Sequence, residues 1–238
     1  MAYRSQRFAY ADMIKTGSNW TSRVMLRRAR VPVCMGNGEH RPAWWVREQL
    51  GEGGATNVIG QKPGRLFFGT MRSGLPWYGS WYRHALHRHG AVDEVRAMGR
   101  GSTAFADVLA GALSAGEHWG RNPFIFCQRM DTGLRWVEGE SLWSYATRYF
   151  YATQDGSAWA VDALVPMEHL REGLAELGLV EPILQPKNVG KGEPAQLTPE
   201  QRAAILKADG PLMDVLGYPE VPAVLRVDRG RVYPLEAA

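Results

Sequence analysis

Residues 8–20, FAYADMIKTGSNW, constrain the fold of this chain more than any other stretch. They begin with an apolar run, residues 8–14, of the length of a buried strand. The run then breaks into Lys15-Thr16-Gly17-Ser18-Asn19-Trp20. A helical pattern follows at once, with Val24 and Leu26 set among Arg23, Arg27 and Arg28. Strand, small polar loop and helix together aim backbone N–H groups and a helix N-terminus at an anion. Gly17 lets the backbone come close to a phosphate. Lys15 supplies a point charge, while Thr16, Ser18 and Asn19 supply hydrogen-bonding groups. A plain strand-to-helix turn capped by Asn19 or Ser18 is the other reading. A Walker A loop is excluded, because its Lys stands near the end of the motif and here Lys15 comes first.

The chain has 238 residues, of which 45% are hydrophobic, enough for one large core. We expect one domain over residues 1–238. Nine Trp residues imply bulky packing or an aromatic-lined cleft. No apolar run is long enough to span a membrane, and the first residues, MAYRSQRFAYADM, lack a signal-peptide core. Only Cys34 and Cys127 are present, so no disulfide framework is implied and a cytoplasmic location is the expectation. The net charge of +4 hides an asymmetry. Residues 1–100 hold 16 Lys and Arg against 6 Asp and Glu, a balance of +10. The remaining residues hold 12 against 18, a balance of −6. A basic half suits a phosphorylated ligand or nucleic acid, and a solvated Arg-rich surface is the bland alternative.

Strand and helix patterns alternate along the chain. We expect a helix over residues 19–29, a strand over 31–35, a helix over 42–50 closed by Gly51, and a strand over 66–71. Alternation of this kind predicts a parallel sheet with helices on both faces. A turn at residues 73–76 leads to a helix over 77–89. Later expectations are helices over 101–115, 141–153 and 166–177, short strands over 123–127 and 158–161, and a long final helix capped by Thr198. Tyr145, Tyr149 and Phe150 share a helical face, expected on the acceptor side. Residues 219–238 read as a short β-type tail. His84, His87 and His89 lack the spacing of a metal site and read as exposed helix histidines.

Three stretches, in order, resemble PAPS-dependent sulfotransferases. Lys15 to Trp20 resembles the family's 5′-phosphosulfate loop, with Asn19 in place of a Thr and Ile14 in place of a Pro. MRSGLPWYGSWYRHAL is similar to the family's second cofactor motif, with Arg72, Ser80, Trp81 and Tyr82 in register. The segment from His40 through Arg47 to Leu50-Gly51 resembles one found in the carbohydrate and Golgi-type members. The resemblance implies an α/β fold, a three-layer P-loop-type sandwich with a central parallel sheet flanked by helices. It implies that Lys15, Thr16, Gly17, Ser18, Asn19 and Trp20 bind the nucleotide's 5′ side, with Trp20 on the adenine. Arg72 and Ser80 would hold the 3′-phosphate. Lys187, Asn188 and Lys191, in a Lys- and Gly-bearing loop, would close over the cofactor. Lys15 and His40 would be catalytic, His40 as the base, with Asp12 and Glu39 in reserve. Glu168 reads as a structural carboxylate in a first helical turn.

The activity so implied is transfer of a sulfuryl group from 3′-phosphoadenosine 5′-phosphosulfate (PAPS) to a hydroxyl or amine, leaving the bisphosphate PAP. The acceptor would be a small molecule or glycan, with neither a metal nor nucleic acid involved. The alternatives are a P-loop-type nucleotide-dependent kinase and a basic nucleic-acid-binding protein.

Overall fold

The computed structural model describes residues 2–4, 8–11, 13, 16, 21, 33–35, 42–49, 66–86, 92–114, 137, 139–179 and 196–227. The strands are β1 (Ala2–Arg4), β2 (Phe8–Ala11), β3 (Val33–Met35), β4 (Leu66–Met71), β5 (Ala163–Pro166) and β6 (Leu225–Arg226). The helices are α1 (Ala43–Gln49), α2 (Gly74–Leu86), α3 (Val92–Met98), α4 (Phe105–Leu113), α5 (Leu142–Tyr151), α6 (Leu170–Glu176) and α7 (Pro199–Val215). The chain divides into two compact units. The first comprises Met1–Arg72, Thr147–Val189 and Glu220–Ala238; the second comprises Ser73–Ala146 and Gly190–Pro219.

The first unit is an α/β unit built on a single sheet of order β3-β1-β2-β4-β5-β6. β2, β4 and β5 pair in parallel, while β1 is antiparallel to both its neighbours and β6 is antiparallel to β5. The sheet is therefore mixed rather than wholly parallel. The reason is chain length. A parallel crossover needs about a dozen residues or more, and the three-residue link between β1 and β2 permits only a hairpin. Because β1 reverses direction twice, β3 still points the same way as β2. Four strands, β2 to β5, thus run in one direction.

Side-chain alternation divides the sheet into two faces. Phe8 and Tyr10 of β2, Phe68 of β4 and Val165 of β5 pack on one face with Leu170 and Leu174 of α6. The opposite face carries Phe67 and Gly69. Arg47 of α1 lies over the Phe67 ring, with its guanidinium carbon 4.8 Å from the centroid. Tyr151, at the end of α5, lies over Gly69, where a Cβ would sit 2.2 Å from its ring. Helices therefore cover both faces. Arg47 is buried and reaches the amino-terminal edge of the sheet, where it bonds the Ala160 carbonyl and, at 3.0 Å, the Asp162 carboxylate. Asp162 in turn accepts the Phe67 N–H at 2.8 Å.

That anchor explains a shift from the expected strand at residues 158–161. Both AWAV and ALVP are apolar, and periodicity cannot choose between them. Asp162 fastens the chain to Phe67, so pairing with β4 starts at Ala163. Trp159 forms only an isolated bridge to Ala152. Pro166 ends β5 in an extended conformation instead of opening a helix; a 3₁₀ turn, Met167–His169, then leads into α6. Exposed Glu168 lies in that turn. The tail contributes β6, and Gly173 of α6 packs so closely on it that a Cβ would meet the Ala223 carbonyl at 2.2 Å.

The second unit, among the described residues, is helical. α2 begins three residues before the expected 77, because Ser73 caps it, its carbonyl taking the Trp77 N–H at 3.2 Å. Pro76 falls in the first turn, where no N–H is needed. Trp77 and Trp81 stack at 5.9 Å, and both are buried. Thr198 caps α7 as expected, in a reciprocal box with Gln201. α5 carries the chain from the second unit to the first. It is buried on every side, so Tyr145, Tyr149 and Phe150 are core residues rather than an acceptor-facing stripe. No described helix is long and apolar enough to cross a membrane. The expected elements at 19–29 and 123–127 lie outside the described residues, except that Thr21 is helical.

Candidate functional site at a sheet edge

The strand order places one edge of the first unit apart from the rest. From β2 the chain moves outward to β3 on one side. It then returns to β4 on the other side of β2 and continues to β5. The strand order reverses between β2 and β4, and ligands of open α/β sheets bind outside the carboxyl ends of strands at such a reversal.

A chain of hydroxyls joins the two strand ends there. The fully buried Thr16 hydroxyl donates to the Met13 carbonyl at 2.7 Å. Its single proton is thereby engaged, so the Thr70 hydroxyl, 3.0 Å away, donates to Thr16. The Tyr10 hydroxyl, 2.8 Å from that of Thr70, donates in turn. The Tyr151 hydroxyl donates to the Thr70 carbonyl. These linked bonds polarise one another and fix the segment after β2 to the carboxyl end of β4. Arg72 follows β4 directly and is half-buried.

Thr16 and Arg72 therefore leave the sheet at one edge, from neighbouring parallel strands. The Thr16 side chain is committed to anchoring this segment. Ser80 is half-buried on α2, in the second unit. Lys15, Gly17, Ser18, Asn19, Trp20, His40, Lys187, Asn188 and Lys191 lie outside the described residues, as do Asp12 and Glu39. His84 is half-buried on α2 rather than exposed, and His87 and His89 lie outside. Among the described residues, no cluster of three or more His, Cys, Asp or Glu could hold a metal ion.

Sequence reasoning missed two polar centres. Thr70 was read only as part of a buried strand. Its position beside Tyr10 on one sheet face follows from the parallel pair Tyr10↔Phe68, a register that no local sequence signal carries. The second centre is Asp209 on α7, in the second unit. It lies on the helix's buried stripe with Ile205, Leu212 and Met213, and has no exposed surface. The hydroxyls of Ser141 and Ser144 both donate to its Oδ1. Burial lifts its pKa to about 7 against the pull of these bonds. Burial, followed by the charge of Asp209, also raises the Tyr78 phenol. An acid four residues after Ile205 and three and four before Leu212 and Met213, on an apolar helical stripe, was the signal for its burial.

The first unit is thus an α/β sheet domain whose strand order reverses between β2 and β4. Comparison with family models, with curated proteins and with solved structures gives no match to this chain.

Proposed function

We propose that this chain is a PAPS-dependent sulfotransferase on a three-layer P-loop-type scaffold. The observation that carries this reading is the reversal of strand order between β2 and β4, with Thr16 and Arg72 leaving the sheet at that one edge. Thr16 and Arg72 belong to the two stretches that resemble the family's phosphate-binding motifs.

In this reading the 15–20 loop receives the 5′-phosphosulfate through its backbone N–H groups and Lys15. Trp20 stacks on the adenine. Arg72 offers a planar fork to the 3′-phosphate. The acceptor hydroxyl attacks sulfur in line and gives its proton to His40. The bond from sulfur to the bridging phosphate oxygen breaks as the new sulfur–oxygen bond forms. Negative charge gathers on that bridging oxygen, where Lys15 and the loop amides stabilise it. An imidazole, whose free pKa is about 6.5, suits a base at neutral pH.

Arg72→Ala should weaken adenosine 3′,5′-bisphosphate binding by about 1.5–3 kcal/mol, the range for a hydrogen bond to a charged group. Binding of adenosine 5′-phosphate should hardly change. Calorimetric titration of the variant with both nucleotides checks this, and equal losses for the two would remove the 3′-phosphate role.

A further inference from the structure

Among the described residues, Asp209 is the one carboxylate in the buried core, and the proposed activity does not use it. Its Oδ1 accepts from the Ser141 hydroxyl and, at 3.2 Å, from the Ser144 hydroxyl. Ser141 also accepts the Ser144 N–H at 3.1 Å, which locks the start of α5 to the same group. Its Oδ2 is buried with no partner. That oxygen faces the first residue of α2, where a Cβ on Gly74 would lie 2.7 Å away.

The groups that bear on Asp209 come from each neighbouring element. From α2 comes Tyr78, whose hydroxyl, as a hydrogen-bond partner of the carboxyl, favours its charged form, and which also accepts the Trp143 N–H at 3.3 Å. From the start of α5 come Ser141 and Ser144, with Glu140 just before them. α4 also packs on α7, and its one acid, Asp107, is exposed. Among the described residues, none of the groups that set the ionisation of Asp209 is a cation. An ionised Asp209 would, among the described residues, be a buried charge with no counter-ion and with Oδ2 unpartnered, an arrangement that proteins avoid by retaining the proton. The neutral form needs no counter-ion, and its two serine bonds survive.

We infer that Asp209 is a proton-operated latch: one proton on this carboxyl holds the first turn of α2 against α7 and the start of α5, and its loss loosens that junction. Protonation is favoured by the native state, whose carboxyl titrates at about 7 against an ordinary value of 3.8. The native state therefore binds more protons between those values. The equilibrium constant for closing the junction falls about tenfold per pH unit across that window and is level above it. The latch is tight in mild acid and weakest above about pH 7.

The test is carboxyl-carbon NMR of the full chain labelled in its Asp side chains, followed from pH 4 to 9. One resonance should titrate at about 7 and vanish in Asp209→Asn. Ser144→Ala removes a bond that favours the charged form and should raise the midpoint. Glu140→Gln removes a repelling charge and should lower it. Amide exchange at Trp77 and Tyr78, corrected for its intrinsic pH dependence, should speed up at least tenfold from pH 5 to 7 in the wild type and stay level in Asp209→Asn. A midpoint in the ordinary carboxylate range overturns the inference. So does a midpoint that neither Ser144→Ala nor Glu140→Gln moves, and these two variants carry the test if Asp209→Asn fails to fold.

Discussion

Gly69→Ala should destabilise the first unit by about 3 kcal/mol, the upper end for forcing extra volume into a packed core. The added methyl would lie 2.2 Å from Cε1 of Tyr151, 2.8 Å from Cδ1 and 2.9 Å from Cζ. Three atoms of one rigid ring are too close, so no rotation of a flexible tip relieves the clash. Tyr151 is fully buried, and its hydroxyl is bound to the Thr70 carbonyl. Moving the ring breaks that bond beside the proposed phosphate site. Urea unfolding should show a lower midpoint with little change in slope. A second substitution, Tyr151→Leu, should recover part of the loss, because the two changes share one contact. An unfolding midpoint equal to wild type would contradict the close approach of α5 to β4.

His40→Ala should reduce turnover with a hydroxyl acceptor by about 10²–10⁴-fold, the usual contribution of a general base. β3 runs in the direction of β2 although it pairs with neither β2 nor β4. The chain leaving β3 at Met35 therefore departs from the edge that Thr16 and Arg72 share. Affinity for the bisphosphate should be unchanged, because the base contacts the acceptor. A base works unprotonated, so wild-type turnover should fall below the pKa of His40, and the variant should lose this acidic limb. Wild-type turnover in His40→Ala would put the base elsewhere, with Glu39 and Asp12 the next residues to replace.

The elements most legible in the sequence were those with both a pattern and a boundary signal. β4 occupies residues 66–71 as expected, because LFFGTM is a short apolar run followed at once by Arg72. α7 was legible from Thr198-Pro199 and its capping partner Gln201. Short segments without such signals were not. β1 has three residues and no distinguishing pattern, and it becomes a strand only because β2 and β3 both pair with it. Its insertion, with the antiparallel β6, turns an expected parallel sheet into a mixed one.

At the candidate site, the exits of Thr16 and Arg72 were legible because strand-loop patterns mark carboxyl ends. The role of the Thr16 side chain was not. Whether a hydroxyl faces a ligand or a neighbouring strand depends on register, and the pairing that sets Thr70 beside Tyr10 spans 60 residues. The partners of Asp209 were hidden for the same reason. Ser141 and Ser144 are 68 and 65 residues away from it, and no local pattern joins them.

The central claim is a nucleotide site that recognises a 3′-phosphate. Titration calorimetry of the wild-type chain with adenosine 3′,5′-bisphosphate, adenosine 5′-phosphate and ATP tests it most directly. The account predicts that the bisphosphate binds about 10–150-fold more tightly than the 5′-phosphate, the equivalent of about 1.5–3 kcal/mol, and more tightly than ATP. Equal affinity for adenosine 5′-phosphate and the bisphosphate would contradict it.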